Sequence, residues 1–139
     1  GGGNEALVDG MRGGADFRTG SWQGWQGLTM ECVIDLGEER AITTVGLSCL
    51  QETKSWIWFP SRIEIQLSHD GKKFAPAAAI DITEYQKETT PSTREFMKDL
   101  RASARYVKVI AKPAFETIPN WHLGSGGKPW IFADEIIIK

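Results

Sequence analysis

The sequence predicts an all-β fold, an antiparallel β-sandwich of about eight strands, and three observations point to it. Short apolar segments recur between turn signals, with no sustained helical period. Arg62-Ile63-Glu64-Ile65-Gln66-Leu67-Ser68 alternates apolar and polar residues, the pattern of a strand with one buried and one wet face. Pro60, Pro113, Pro119 and Pro129 all fall between such segments, where proline interrupts no ladder.

Taken in order, Met30 to Leu36 is the first clear strand, and Gly37-Glu38-Glu39-Arg40 reads as a turn. Ala41 to Leu50 follows, with Ile42, Val45 and Leu47 as its apolar positions. The strand from Arg62 ends at Ser68-His69-Asp70-Gly71, a hairpin-type turn in which Gly71 supplies a positive φ. Phe74 to Ile82 holds one or two shorter strands, and Thr93 to Leu100, Arg105 to Lys112 and Ile131 to Lys139 complete the set.

At 139 residues the chain suits a single domain spanning 1–139 with one core. Hydrophobic residues at 41% and charged residues at 24% match a globular protein and exclude disorder or a coiled coil. No apolar run approaches the ~18 residues of a membrane span. The formal charge of −2, without a long block of either sign, lacks the basic footprint of a nucleic-acid binder. Cys32 and Cys49 stand in apolar contexts with no metal or redox spacing; they read as two buried thiols, with a disulfide between neighbouring strands the alternative.

Three connections are longer than a hairpin needs: Gly10 to Gln26, Gln51 to Pro60 and Pro113 to Pro129. The six tryptophans lie in them or at their junctions with strands: Trp22 and Trp25, Trp56 and Trp58, Trp121 and Trp130. If Trp56-Ile57-Trp58 is extended, both indoles share a face. Exposed aromatic rings suit the flat C–H faces of sugars, with a few polar groups for the hydroxyls. Trp56, Trp121 and His122 are the leading candidates for such a surface, with Arg18 and Trp22 beside them. The competing reading is that loop tryptophans fold down as lids over the end of the sandwich.

Catalysis finds little support. Glycoside hydrolysis needs two carboxylates converging at about 5 to 9.5 Å. Asp134 and Glu135 are adjacent in a strand, where side chains diverge. Neither histidine accompanies a nucleophile or zinc motif. The run Gly124-Ser125-Gly126-Gly127 lacks the context of a phosphate loop. Asp9-Gly10 opens a Gly-rich loop whose carbonyls can turn around a hard cation, and Glu135 could close that site if the first and last strands are neighbours. An ordinary turn aspartate and an ordinary strand glutamate account for the same residues.

Several segments in order resemble the coagulation factor V/VIII type C (discoidin) domain: Leu7-Val8-Asp9-Gly10, Val33-Ile34-Asp35-Leu36-Gly37, Phe59-Pro60 with Arg62-Ile63-Glu64-Ile65, Ala104-Arg105-Tyr106-Val107-Lys108-Val109 and Asp134-Glu135-Ile136. Trp22-Gln23-Gly24, Trp56-Ile57-Trp58-Phe59-Pro60 and Ile118-Pro119-Asn120-Trp121-His122 look like the C-terminal module of bacterial family 20 β-N-acetylhexosaminidases, the chitobiases, which is similar to family 32 carbohydrate-binding modules. The resemblance implies a galactose-binding-domain-like jelly roll excised from a larger extracytoplasmic bacterial glycosidase. It implies structural Ca2+ on Asp9 and Glu135, with carbonyl help from around Ala6 and Asp134. The loop departs from the family pattern at Met11 and Gly14.

The expected function is a non-catalytic module that holds an attached glycosidase near glycans bearing galactose or N-acetylhexosamine. The alternative is a sandwich that docks on its parent enzyme and binds no glycan.

Overall fold

The structure, a computed structural model, describes residues 23–139. Six strands form it: β1 Gln23–Gln26, β2 Met30–Gln51, β3 Arg62–Ser68, β4 Ala75–Asp81, β5 Ser92–Lys112 and β6 Trp130–Ile138. Every pairing is antiparallel, in the order β1-β6-β2-β5-β3-β4. The all-β, antiparallel expectation holds.

The expected count of about eight is corrected to six among the described residues, because two pairs of expected strands are continuous. β2 runs through Gly37-Glu38-Glu39-Arg40, and β5 joins the 93–100 and 105–112 segments. The turn-like residues sit in a register shift between Asp35 and Arg40, where Gly37 takes φ 86 and donates its N–H to Asp35 Oδ1 at 2.8 Å. A bulge thus absorbs residues that would otherwise end a strand. β1 falls inside the stretch expected as the first long loop, so Trp25 is a strand residue. It pairs with the last strand, Trp25 opposite Ile131.

β2 and β5 form one long ribbon that serves both layers. Its Met30–Asp35 and Tyr106–Ala111 part pairs onward to β3 and β4, and its Val45–Gln51 part pairs onward to β6 and β1. A single buried cluster joins Ile63, Ile65, Val107 and Val109 from the first layer to Val45, Leu47, Ile131 and Ala133 from the second. Burying these β-branched and leucine side chains contributes roughly 1.5–3 kcal/mol each before chain entropy is counted.

Cys32 and Cys49 are both buried and free, the first of the two readings. Burial pushes both thiols above their ordinary range, with Asp134 adding to the effect at Cys49 and Glu31 at Cys32. The Ser68–Gly71 turn forms as expected, with Gly71 at φ 76 and Asp70 Oδ1 accepting the N–H groups of Lys72 and Lys73 at 2.8 and 3.0 Å.

Because the ribbon folds over itself, both of its ends reach one rim. Gln51 pairs with Ser92 there, and Lys112 with Arg62, which pairs in turn with Asp81. The three connections that cross between layers, 52–61, 82–91 and 113–129, therefore emerge side by side.

Candidate functional site

The 52–61 connection is fixed first. Thr53–Ser55 is a single 3-10 turn, and Trp56 caps it in the left-handed conformation at φ 66. Its N–H donates to Thr53 O at 3.1 Å, and its carbonyl accepts the Trp130 N–H at 2.7 Å. This kink overturns the expectation of an extended Trp56-Ile57-Trp58. Trp56 is 36% exposed, whereas Trp58 is fully buried with its Nε1–H donated to Gln86 O at 2.9 Å. Of the other described tryptophans, Trp25 and Trp130 are half-buried against the core, and Trp121 is 45% exposed. Trp58 is thus sealed beneath the loops, whereas Trp56 and Trp121 are exposed.

The 113–129 connection lies beside this turn. His122 Nδ1 accepts the Gly124 N–H at 2.8 Å, which leaves Nε2 as the protonated nitrogen, donating to Thr53 O at 2.8 Å. Both ring nitrogens are engaged by backbone, so His122 enters the site as a brace between two loops. Rings step outward from the core: Trp58 meets His122 and Phe115 edge-on at centroid distances of 5.0 and 5.4 Å, and each of those meets Trp121 at 6.1 and 6.2 Å. These geometries suit aromatic quadrupoles and hold Trp121 upright at the surface.

The glycine run acquires a role here. A Cβ built on Gly124 would stand 2.6 Å from Trp56 Nε1 and Cε2, and one on Gly127 would stand 2.6 Å from Cζ3. The Trp56 indole lies directly on these two residues, so one of its faces is seated on backbone.

The third wall comes from 82–91, a connection that sequence reasoning passed over. Three hydrogen bonds tie it to the 51–58 segment: Gln51 Nε2 to Tyr85 O at 2.7 Å, Thr53 Oγ1 to Glu88 O at 3.0 Å, and the Trp58 indole to Gln86 O. The polar run Thr83 to Thr90, closed by Pro91 between two strands, was the available signal. Together the three loops enclose an open concavity of about 690 Å³. Trp56, Trp121, His122 and Leu123 line one side of it, with Thr53, Lys54, Lys87 and Thr89 completing the wall.

Trp56, Trp121 and His122 are therefore brought to one place. Arg18, Trp22, Ala6 and Asp9 lie outside the described residues. Asp134 and Glu135 are both buried, at 1% and 7% exposure, on β6. Opposite β2, Ser48 pairs with Glu135 and Cys49 with Ala133, which leaves Asp134 as the extra residue of a bulge. No group of three or more potential metal-ligating side chains occurs among the described residues. No helix of the described residues is long and apolar enough to cross a membrane.

No curated protein matches the chain in sequence. Solved structures do match in fold. CpGH89CBM32-5 from Clostridium perfringens, in complex with GalNAc-β-1,3-galactose, superposes with a TM-score of 0.57 at 16% identity, over 96% of this chain and 81% of that one. The C-terminal domain of a chitobiase from Bacteroides fragilis gives 0.55 at 18%, over 97% and 78%. The family 32 module of C. perfringens NanJ, in complex with galactose, gives 0.53 at 15%, over 97% and 82%. At such identities the fold is what is shared. The family model of the F5/8 type C domain matches residues 1–131, and the chain belongs to that family.

Proposed function

We propose that this protein is a non-catalytic carbohydrate-binding module whose rim concavity receives a glycan bearing galactose or N-acetylhexosamine. The observation that carries the reading is the exposure of Trp56 and Trp121 on one concavity, held there by a braced set of loops. A rigid aromatic platform costs little ordering entropy on binding. Two modules of the same fold, those in complex with GalNAc-β-1,3-galactose and with galactose, support the choice of sugar. The module acts by raising the effective concentration of an attached extracytoplasmic glycosidase, a β-N-acetylhexosaminidase, at its glycan. Titration calorimetry with galactose and N-acetylgalactosamine tests it. Heat at millimolar sugar that disappears in Trp121→Ala is the expected result; silence from the unaltered protein for every such sugar overturns it.

A second reading, docking on the catalytic domain without glycan binding, draws on Leu123, which projects fully into solvent beside Trp121. Under it, Leu123→Ser weakens association of the module with the separated catalytic domain and Trp121→Ala changes no sugar titration.

We also propose a structural Ca2+ on Asp9 and Glu135, with carbonyl oxygens from around Ala6 and Asp134. The resemblance to the F5/8 type C domain and the chemistry of the donors support it, since calcium favours carboxylate and carbonyl oxygens. A melting temperature that falls on chelation and recovers with added calcium is expected; one unmoved by chelator refutes the site.

A further inference from the structure

Two lysines line the concavity beside its aromatic rings. Lys54, in the 3-10 turn, and Lys87, in the 82–91 connection, both line it and both are exposed. No aspartate or glutamate lines it, and neither lysine forms an ion pair with a described residue. Several cations elsewhere are matched by carboxylates: Arg62 with Asp81 and Glu64, Lys112 with Glu64, Arg105 with Asp35, Lys108 with Glu31.

The backbone that carries Lys87 is held in place, and its ammonium group meets a ring. The hydrogen bonds of Gln51, Thr53 and Trp58 fasten the Tyr85–Glu88 backbone that carries Lys87. Lys87 Nζ stands 5.5 Å from the centroid of the Trp121 ring, a cation–π distance. A charged substituent on a sugar touching that ring therefore falls within a few ångströms of a cation. His122, by contrast, has no free ring nitrogen to offer a neutral hydroxyl.

We propose that the concavity prefers sugars carrying an anionic group, a carboxylate or a sulfate ester, over their neutral counterparts. This rests on the carbohydrate-binding reading and sharpens it: the aromatic rings supply contact area and the lysines supply selectivity. Two exposed lysines justify a preference of roughly threefold to thirtyfold at low ionic strength. Salt screens exposed charges, so the preference shrinks as ionic strength rises.

The test is a titration of the intact protein with galactose, galacturonic acid and galactose 6-sulfate at about 0.02 M and about 0.5 M salt. A parallel titration uses Lys54→Gln/Lys87→Gln, whose exposed positions leave the melting temperature as a control on folding. Tighter binding of an acidic sugar, weakened by salt and reduced to the neutral level in the double variant, is expected. Galacturonic acid alone being favoured assigns the carboxylate, and galactose 6-sulfate alone the sulfate. Equal binding of all three sugars, lost in Trp121→Ala, overturns the preference and leaves the carbohydrate site standing. A preference that survives in the double variant overturns the role of the lysines. Failure of all three sugars to bind overturns the site and the preference together.

Discussion

Replacing Gly124 by alanine should lift the Trp56 ring off its seat. The new methyl would stand 2.6 Å from Nε1 and Cε2 and 3.0 Å from Cζ2, whereas carbon atoms rest at about 3.5–4.0 Å. The ring must retreat by roughly 1 Å. Its backbone cannot follow, being pinned by the bonds to Thr53 O and from the Trp130 N–H. The indole therefore tilts into the concavity, at an overpacking cost of about 1–3 kcal/mol, or some ~3–10 °C in melting temperature for a domain of this size. A double-mutant cycle with Trp56→Ala isolates the contact. Gly124 has no positive φ, so without the indole Gly124→Ala should be neutral, or stabilising by up to about 1 kcal/mol through the unfolded chain. The substitution is thus expected to change sign with the background. Denaturant melts of the four proteins provide the measurement, and an equal cost of Gly124→Ala in both backgrounds would refute the proposed seat.

Three further outcomes are expected. Trp58→Phe removes the bond to Gln86 O and part of a fully buried ring, and should destabilise by about 1–3 kcal/mol in a thermal melt. The bidentate Arg105 guanidinium, helped by the Gly37 N–H, holds Asp35 at about 2, below its ordinary 3.8. That stabilisation is complete above about pH 4 and lost as pH falls through about 2, so Asp35→Asn should flatten this stretch of an acid-denaturation curve. The Glu39 carboxylate raises the pKa of His69, so its contribution is full below the ordinary 6.5 and lost as pH rises through the higher value; in an NMR titration Glu39→Gln should bring the His69 midpoint back down.

Much of this architecture was legible in the sequence because alternation is a local signal. Arg62–Ser68 and Ala75–Asp81 lie where period two and turn residues put them, and Ile63 and Ile65 are buried as their phase requires. The strand count was less legible, since Gly37-Glu38-Glu39-Arg40 has turn chemistry and only its partner strand turns it into a bulge. The clustering of tryptophans in connections foretold an aromatic rim. The division of labour between Trp56 and Trp58 depended on one left-handed residue, which indole side chains rarely adopt. Lys87 belonged to a connection without a tryptophan, and its place beside Trp121 follows from hydrogen bonds between distant segments.

The shared ribbon has a kinetic consequence. β3 and β4 meet through a tight local turn and can pair early, whereas β2 and β5 pair only by closing the chain over the entire 52–91 segment. Loop closure of that kind is slow, because ordering entropy is lost before most contacts form. Formation of the ribbon is then the step that creates both layers at once, and with them the rim that gathers the loops. Neither layer is complete without the ribbon, so a substitution that weakens it far from the concavity should delay the appearance of the binding surface as much as that of the core.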